Sequence, residues 1–345
     1  MIGTSGRTMT VTIDEPTKIG EARRRALVLA AELAFDETGQ GRVALVVTEA
    51  ASNLIKHAGG GELIVQVQRW DQAGGWLEVL ALDRGPGMND VGRCLSDGYS
   101  TAGSLGTGLG AIARLSDDYG IYSQPGIGTV IWARLDAKPG TRAVGDDAPA
   151  MAAVSVPAPG EVECGDNWAM IRGHGQSLLM VVDGLGHGPL AAEAAEAAVG
   201  VLQDRQAGEP VDLIEAAHVA LRSTRGAALA IARIDPARGQ VRYAGVGNIS
   251  GVVVDGRDGR TVSMVSHNGT VGHIVRKIQA FDYPWSEDSL LIMHSDGLST
   301  RWDLTRYPGL SRRPPGLVAG ILYRDHKRGR DDATVVVARE GGAPP

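Results

Sequence analysis

The stretch Leu178-Leu179-Met180-Val181-Val182-Asp183-Gly184-Leu185-Gly186-His187-Gly188 decides how the second half of this chain is read. Residues 178–182 are an unbroken apolar run, the signature of a buried strand. The run ends in a carboxylate, and glycines follow at 184, 186 and 188. A carboxylate at the end of a buried strand, on backbone free to bend close, suits a hard cation held by oxygen. An aspartate that merely caps the following helix would give the same local pattern, so the stretch has to be weighed with its neighbours.

Three further strand ends carry acids at comparable positions. Asp166, in Cys164-Gly165-Asp166-Asn167, precedes a candidate strand. Asp296, in His294-Ser295-Asp296-Gly297-Leu298, follows the apolar run 290–293. The pair Asp331-Asp332 precedes the last strand, 335–337. Each alone is an ordinary turn acid. Four acid-bearing strand ends on neighbouring strands would instead form a dinuclear oxygen site suited to Mg²⁺ or Mn²⁺. Such a pair of ions activates water and clamps the oxygens of an in-line displacement.

The first half carries a different constellation. Glu49 and Asn53 lie four apart on a predicted helix, hence on one face, with His57 continuing the row. They place a candidate general base beside a neutral oxygen ligand. Asp83-Arg84-Gly85-Pro86-Gly87 follows a buried strand, where an aspartate can accept a hydrogen bond from an exocyclic amine. Gly103-Ser104-Leu105-Gly106-Thr107-Gly108-Leu109-Gly110 then feeds a helix, and such turns present N–H groups to phosphates. Lys56 and Arg84 read as solvated.

At 345 residues the chain has room for about two domains. Its hydrophobic content is 43% but only 4% is aromatic, so the cores rest on Val, Leu, Ile and Ala. A net charge of −6 gives no electrostatic case for nucleic acid or an anionic membrane. Cys94 and Cys164 make neither a disulfide framework nor a zinc site, which points to the cytoplasm. No apolar run approaches the ~20 residues that span a bilayer. The pattern predicts helices over 21–37, 41–57, from 108, 189–203 and 211–222, with strands between them. Residues 137–150, rich in Ala, Pro and Gly, read as a linker between domains at 1–136 and 151–340.

Taken together, TEAASNLIKHA, DRGPGM and SLGTGLGAIARL resemble the N, G1 and G2 boxes of the GHKL ATPase/kinase superfamily. Within it the short first half is similar to the RsbT-type serine kinases of bacterial sigma-factor partner switching. The resemblance implies an α/β sandwich (Bergerat fold) that binds ATP with Mg²⁺. It makes Asn53 the metal ligand, Glu49 the group that polarises the attacking hydroxyl, and Asp83 the reader of the adenine amine. Gly85, Gly87, Gly106, Gly108 and Gly110 would shape the lid and phosphate loop, and Thr129 would assist at the adenine.

The set GD, DGLGHG, SDGL and DDAT resembles the metal-dependent type 2C (PPM) protein phosphatases, in the SpoIIE and RsbX branch. That resemblance implies a β-sandwich flanked by helices and two Mn²⁺ or Mg²⁺ ions. Asp183 would bridge both ions, the Gly184 carbonyl would help hold one through water, and Asp166 would belong to the same centre. Asp296 and Asp331 would hold the second ion, with Asp332 set behind Asp331. His187 fits the branch motif with an open role, and Gly245 to Asn248 read as structural. The arginine that some type 2C enzymes carry near the first strand has no counterpart by motif.

The two resemblances imply a bifunctional enzyme of α/β class. One domain would phosphorylate Ser or Thr on a STAS-domain antagonist or stressosome scaffold. The other would hydrolyse phospho-Ser/Thr in the same pathway, with a downstream phosphatase or anti-sigma factor as further partners. Two alternatives stand beside this reading. The ATP-binding domain could be a docking module without transfer, although Glu49 beside Asn53 argues for transfer. The second domain could be a metal sensor without hydrolysis.

Overall fold

The computed structural model describes residues 2–70, 74–92, 108–138, 150–173 and 175–339. The chain divides into two compact units, one of Gly6–Val144 and one of Met1–Ser5 with Gly145–Pro345. No helix among the described residues is long and apolar enough to cross a membrane.

The first unit is an antiparallel sheet covered on one face by helices. Its strands are β1 (Ile2–Ile13), β2 (Gly61–Trp70), β3 (Gly74–Leu82), β4 (Asp118–Gln124) and β5 (Gly128–Asp136), in spatial order β1-β2-β3-β5-β4. Its helices are α1 (Thr17–Glu32), α2 (Glu37–Ala58) and α3 (Gly108–Leu115). Alternation along the strands sends Leu63, Val65 and Val67 of β2 and Leu77, Val79 and Ala81 of β3 into one core, with Ala26 and Leu29 of α1 and Val43, Val47 and Leu54 of α2. The helix expected over 21–37 starts and stops earlier, and α2 begins four residues before the expected 41. The reason is local. Ala34 takes φ +55, and the Asp36 carboxylate accepts the Gly39 N–H at 2.7 Å, capping a new helix, a contact worth ~1 kcal/mol. Arg42 then ties α2 to the end of α3, donating Nε to Leu115 O at 2.9 Å and pairing with Asp117.

The second unit is two antiparallel sheets. It contributes β6 (Ala150–Val156), β7 (Asp166–Gly173), β8 (Gln176–Gly184), β9 (Ala227–Asp235), β10 (Gln240–Val246), β11 (Ser250–Asp255), β12 (Thr261–Ser263), β13 (Gly269–Thr270), β14 (Ile274–Val275), β15 (Ala280–Pro284), β16 (Ser289–His294) and β17 (Ala333–Arg339). One sheet runs β15-β10-β9-β8-β7, with Ile2 to Thr4 paired to β7. The other runs β12-β11-β16-β17-β6, and β13 and β14 form a separate hairpin. Helices α4 (Pro189–Arg205) and α5 (Pro210–Ala220) pack Ala195, Ala198, Leu202, Leu213 and Ile214 against Met180 and Val182 of β8 and Leu229 and Ile231 of β9. Helix α6 (Pro315–His326) covers β6 and β17. The pattern did not anticipate α6, because Pro314, Pro315, Gly316 and Gly320 read as loop. Pro at the first helical position is compatible with a helix start, and burial of Leu317, Val318, Ile321 and Leu322 outweighs the glycine penalty.

Candidate functional site

Each unit gathers its own set of chemically active residues. In the first unit α2 carries Glu49 and Asn53 on one face, and α3 starts against them. A Cβ placed on Gly108 would lie 2.9 Å from Glu49 Oε2 and 3.4 Å from Asn53 Oδ1. A glycine is therefore what lets the α3 start meet both groups. The Asn53 amide nitrogen is buried and has no hydrogen-bond partner among the described residues. A buried polar atom left unpaired costs on the order of 1–3 kcal/mol, so its presence beside a carboxylate marks a place for a ligand. Asp83 is fixed at the end of β3: its Oδ1 accepts Gly85 N–H at 2.8 Å and Thr129 N–H at 3.0 Å. Thr129 is buried, and its hydroxyl meets Ser123 Oγ at 2.9 Å. Gly85 packs on Ala58 at the end of α2, Gly87 lies against the Gln124 carbonyl, and Gly110 is buried within α3. Lys56 and His57 are exposed in the last turn of α2. Gly106 and the rest of 93–107, with Cys94, lie outside the described residues.

In the second unit the register of one strand pair sets the centre. Asp166 of β7 stands directly opposite Asp183 of β8. A slip of one residue would turn the two side chains to opposite faces. Two like charges directly opposite one another destabilise an antiparallel pair, so this register favours a bound cation or, without one, a retained proton. Burial first, then the Asp183 charge, pushes the Asp166 carboxyl well above the usual carboxylate range, against the hydrogen bond from Ser295. Asp183 is pushed up to about 7 by burial, then by the charges of Asp296, Asp331 and Asp332, with the Asn248 hydrogen bond opposing. The charges that act most on Asp183 are all carboxylates.

The remaining acids arrive through close loop packing. A Cβ on Gly297 would fall 1.9 Å from Asp332 O, so the 295–298 turn rests directly on the start of β17. This brings Asp296 and Asp331 to the same end of the sandwich as Asp183. Asp332 is buried and its Oδ1 accepts Ala158 N–H at 2.8 Å, whereas Asp331 is exposed. A Cβ on Gly184 would fall 2.1 Å from Ala191 O, so α4 sits hard against the strand end. Among the described residues no three His, Cys, Asp or Glu side chains are drawn tightly enough to hold one ion by themselves. In the second unit the crowded carboxylate oxygens suit divalent ions; in the first, the Asn53 amide suits a polar ligand such as a nucleotide.

Several participants come from outside the expected set. Asn248, read from sequence as part of a structural turn, donates Nδ2 to Asp296 Oδ2 at 2.7 Å. Ser295 donates Oγ to Asp166 Oδ2 at 2.6 Å while accepting Thr334 N–H at 3.1 Å. His187 is exposed and lies 2.6 Å from Glu161 Oε1 through Nδ1. β6 carries no arginine, and Arg172 of β7 pairs with Ser177 at the end of the ladder away from Asp166.

Comparison with known proteins places both units. A family model described as histidine kinase-like ATPase domain matches residues 13–135, and one described as stage II sporulation protein E (SpoIIE) matches residues 173–340. The chain is 37% identical over 112 residues, 32% of its length and 84% of the relative's, to the serine/threonine-protein kinase RsbT of Bacillus subtilis (strain 168). It is 30% identical over 141 residues, 41% of its length and 70% of the relative's, to the phosphoserine phosphatase RsbX of the same organism. The chain belongs to both families. It joins an RsbT-like kinase unit to an RsbX- and SpoIIE-like phosphatase unit. A solved structure described as "The bacterial stressosome: a modular system that has been adapted to control secondary messenger signaling" matches with TM-score 0.51 and 30% identity, over 55% of this chain and 99% of that one. The expected fold holds for each unit: an α/β sandwich of GHKL type and a β-sandwich of type 2C flanked by helices. The family assignment carries the enzyme class, a metal-dependent Ser/Thr phosphatase with a Ser/Thr kinase domain.

Proposed function

We propose that the kinase unit transfers phosphate from ATP to Ser or Thr of a STAS-domain antagonist or stressosome scaffold, and that the phosphatase unit hydrolyses phospho-Ser/Thr on proteins of the same cytoplasmic pathway. The functional limits are 1–136 and 151–340, joined by 137–150. In the kinase unit Asn53 holds Mg²⁺, Glu49 polarises the incoming hydroxyl, Asp83 with Thr129 orients the adenine, and Gly85, Gly87, Gly106, Gly108 and Gly110 shape the lid and phosphate loop. Positioning and charge neutralisation are most of what phosphoryl transfer needs. Glu49 held beside the Asn53 amide favours transfer over a docking role, since simple capture needs no base.

In the phosphatase unit Asp183, Asp166, the Gly184 carbonyl, Asp296 and Asp331 would hold two Mn²⁺ or Mg²⁺ ions, with Asp183 serving both. Bound ions supply charge neutralisation and an acidified water. The protein's own share is orientation: Ser295 fixes the Asp166 carboxylate, and Asn248 fixes Asp296. The observation that carries the reading is the register that sets Asp166 opposite Asp183, with Asp296 and Asp331 adding charge. Full-length protein incubated with Mn²⁺ and a phosphorylated STAS protein should release phosphate, and Asp183→Ala should not. Absence of release by the unaltered chain, with every candidate tested, would remove the phosphatase reading. Both chemistries on one site would cycle wastefully, so the two units act on different phosphosites or are gated by a partner.

A further inference from the structure

A phosphomonoester brings its own negative charge to a centre already made of carboxylates. A cation on the rim would offset that repulsion, and one is present. Arg225 lies just before β9, whose Ala227 and Ala228 pair with Gly184 and Asp183. Its backbone is held from two sides. Its carbonyl meets His273 Nε2 at 2.9 Å, and the turn around it is closed by Gly226 N–H donating to Thr224 Oγ1 at 3.0 Å. Leu185 N–H donates to Gly226 O at 2.9 Å, which locks that turn onto the loop after Asp183.

The side chain extends along this loop. A Cβ on Gly186 would lie 3.2 Å from Arg225 Nη1, so the guanidinium rests against a residue three positions beyond Asp183. Arg225 is exposed, and its guanidinium makes no hydrogen bond or ion pair among the described residues. Several other arginines of this unit are paired. Arg233 pairs with Glu209, Arg242 with Asp282, Arg257 with Asp255 and Arg324 with Asp325. Arg225 is thus anchored at its backbone and unengaged at its charge, beside the glycine loop.

We propose that Arg225 holds the substrate phosphate, donating its N–H fork to non-bridging phosphate oxygens as the ester enters the centre. This rests on the phosphatase reading above and adds a specificity residue from a loop that no motif marks. Guanidinium matches phosphate in a planar, bidentate way that an ammonium cannot. Because the interaction is made to the ester and to free phosphate alike, it acts on binding more than on the chemical step.

The test uses the full chain with Mn²⁺, as unaltered protein, Arg225→Ala and Arg225→Lys. Substrates are p-nitrophenyl phosphate and a phosphoserine peptide, with inorganic phosphate as inhibitor. Arg225→Ala should raise KM and the inhibition constant for phosphate about tenfold, with kcat within about threefold, the scale of one lost charge-assisted fork. Arg225→Lys should recover part of the loss, and the Mn²⁺ concentration for half-maximal activity should stay unchanged. Unchanged KM and phosphate inhibition in Arg225→Ala would overturn the proposal. So would a KM change matched by an equal change in Mn²⁺ requirement, which would mark a distorted loop. If the unaltered chain hydrolyses nothing, the phosphatase reading fails separately. Calorimetric binding of inorganic phosphate to the Mn²⁺-loaded chain then decides Arg225 on its own, by whether Arg225→Ala abolishes it.

Discussion

The Asn248 amide donates to Asp296 at 2.7 Å and lies near enough to Asp183 to hold its carboxyl down, so one amide acts on two carboxylates. Asn248 reaches them because Gly247 lets the turn press on Ala228, the residue paired with Asp183. Hydrogen bonds to charged groups contribute about 1.5–3 kcal/mol. Asn248→Ala should therefore weaken Mn²⁺ binding about tenfold or more and move the phosphatase pH optimum upward, because Asp183 loses the group that opposes its protonation. Mn²⁺ titrations of phosphate release at several pH values check this; an unchanged Mn²⁺ requirement would count against the bridging role.

Stability of the metal-free chain should fall as pH rises toward neutrality. Asp183 has a folded value of about 7 against an ordinary 3.8. Between these values the folded form keeps a proton that the unfolded form releases, so unfolding is favoured as pH rises. Below 3.8 both forms are protonated and the effect vanishes. Mn²⁺ should protect most at and above pH 7, and Asp183→Asn should make the profile shallower. Thermal unfolding with chelator or Mn²⁺ across pH 4 to 8 measures it; a metal-free profile that rises toward pH 7 would be the contrary result.

Much of both sites could be read along the chain, and the reasons are physical. Asp166, Asp183, Asp296 and Asp331 each end or begin an apolar run, and Glu49 and Asn53 share a helix face, so short-range pattern exposes them. Asn248, Ser295, Glu161 and Arg225 could not be found that way. Ser295 acts on a residue 129 positions away and Asn248 on one 48 away, and only strand order brings them together. The same holds for α6, whose prolines and glycines mask a helix that burial stabilises.

Gly108→Ala should separate chemistry from folding in the kinase unit. The added methyl would come 2.9 Å from Glu49 Oε2, the far end of a flexible side chain, so Glu49 can swing aside at little cost to the fold. Swinging aside removes it from the Asn53 face. Transfer from ATP should drop at least tenfold, the loss of a positioned base, while thermal stability and phosphatase activity stay close to those of the unaltered chain. Retained transfer in Gly108→Ala would show that Glu49 is not needed where the structure places it.

Glu78 offers a stability test away from either site. Burial holds its carboxyl above the usual range, against hydrogen bonds from Gln66, Trp76 and Gln68 and the Arg134 charge. The unfolded carboxyl ionises first as pH rises past 4.5, so this residue too takes stability away toward neutral pH. Glu78→Gln removes the buried charge but sets its N–H₂ against the donors of either Gln66 and Gln68 or Trp76, so it should be better tolerated at pH 7.5, where the charge is relieved, than at pH 4.5. Denaturant unfolding at both pH values gives the difference; equal effects at the two would contradict the burial argument.

Because the two units are parts of one polypeptide, opposing activities are delivered at a fixed one-to-one dose. A cell cannot shift the balance by making more of one catalyst than the other. Within this chain, a shift between the two activities comes after synthesis, through nucleotide supply, divalent-ion supply or which face a bound protein leaves open.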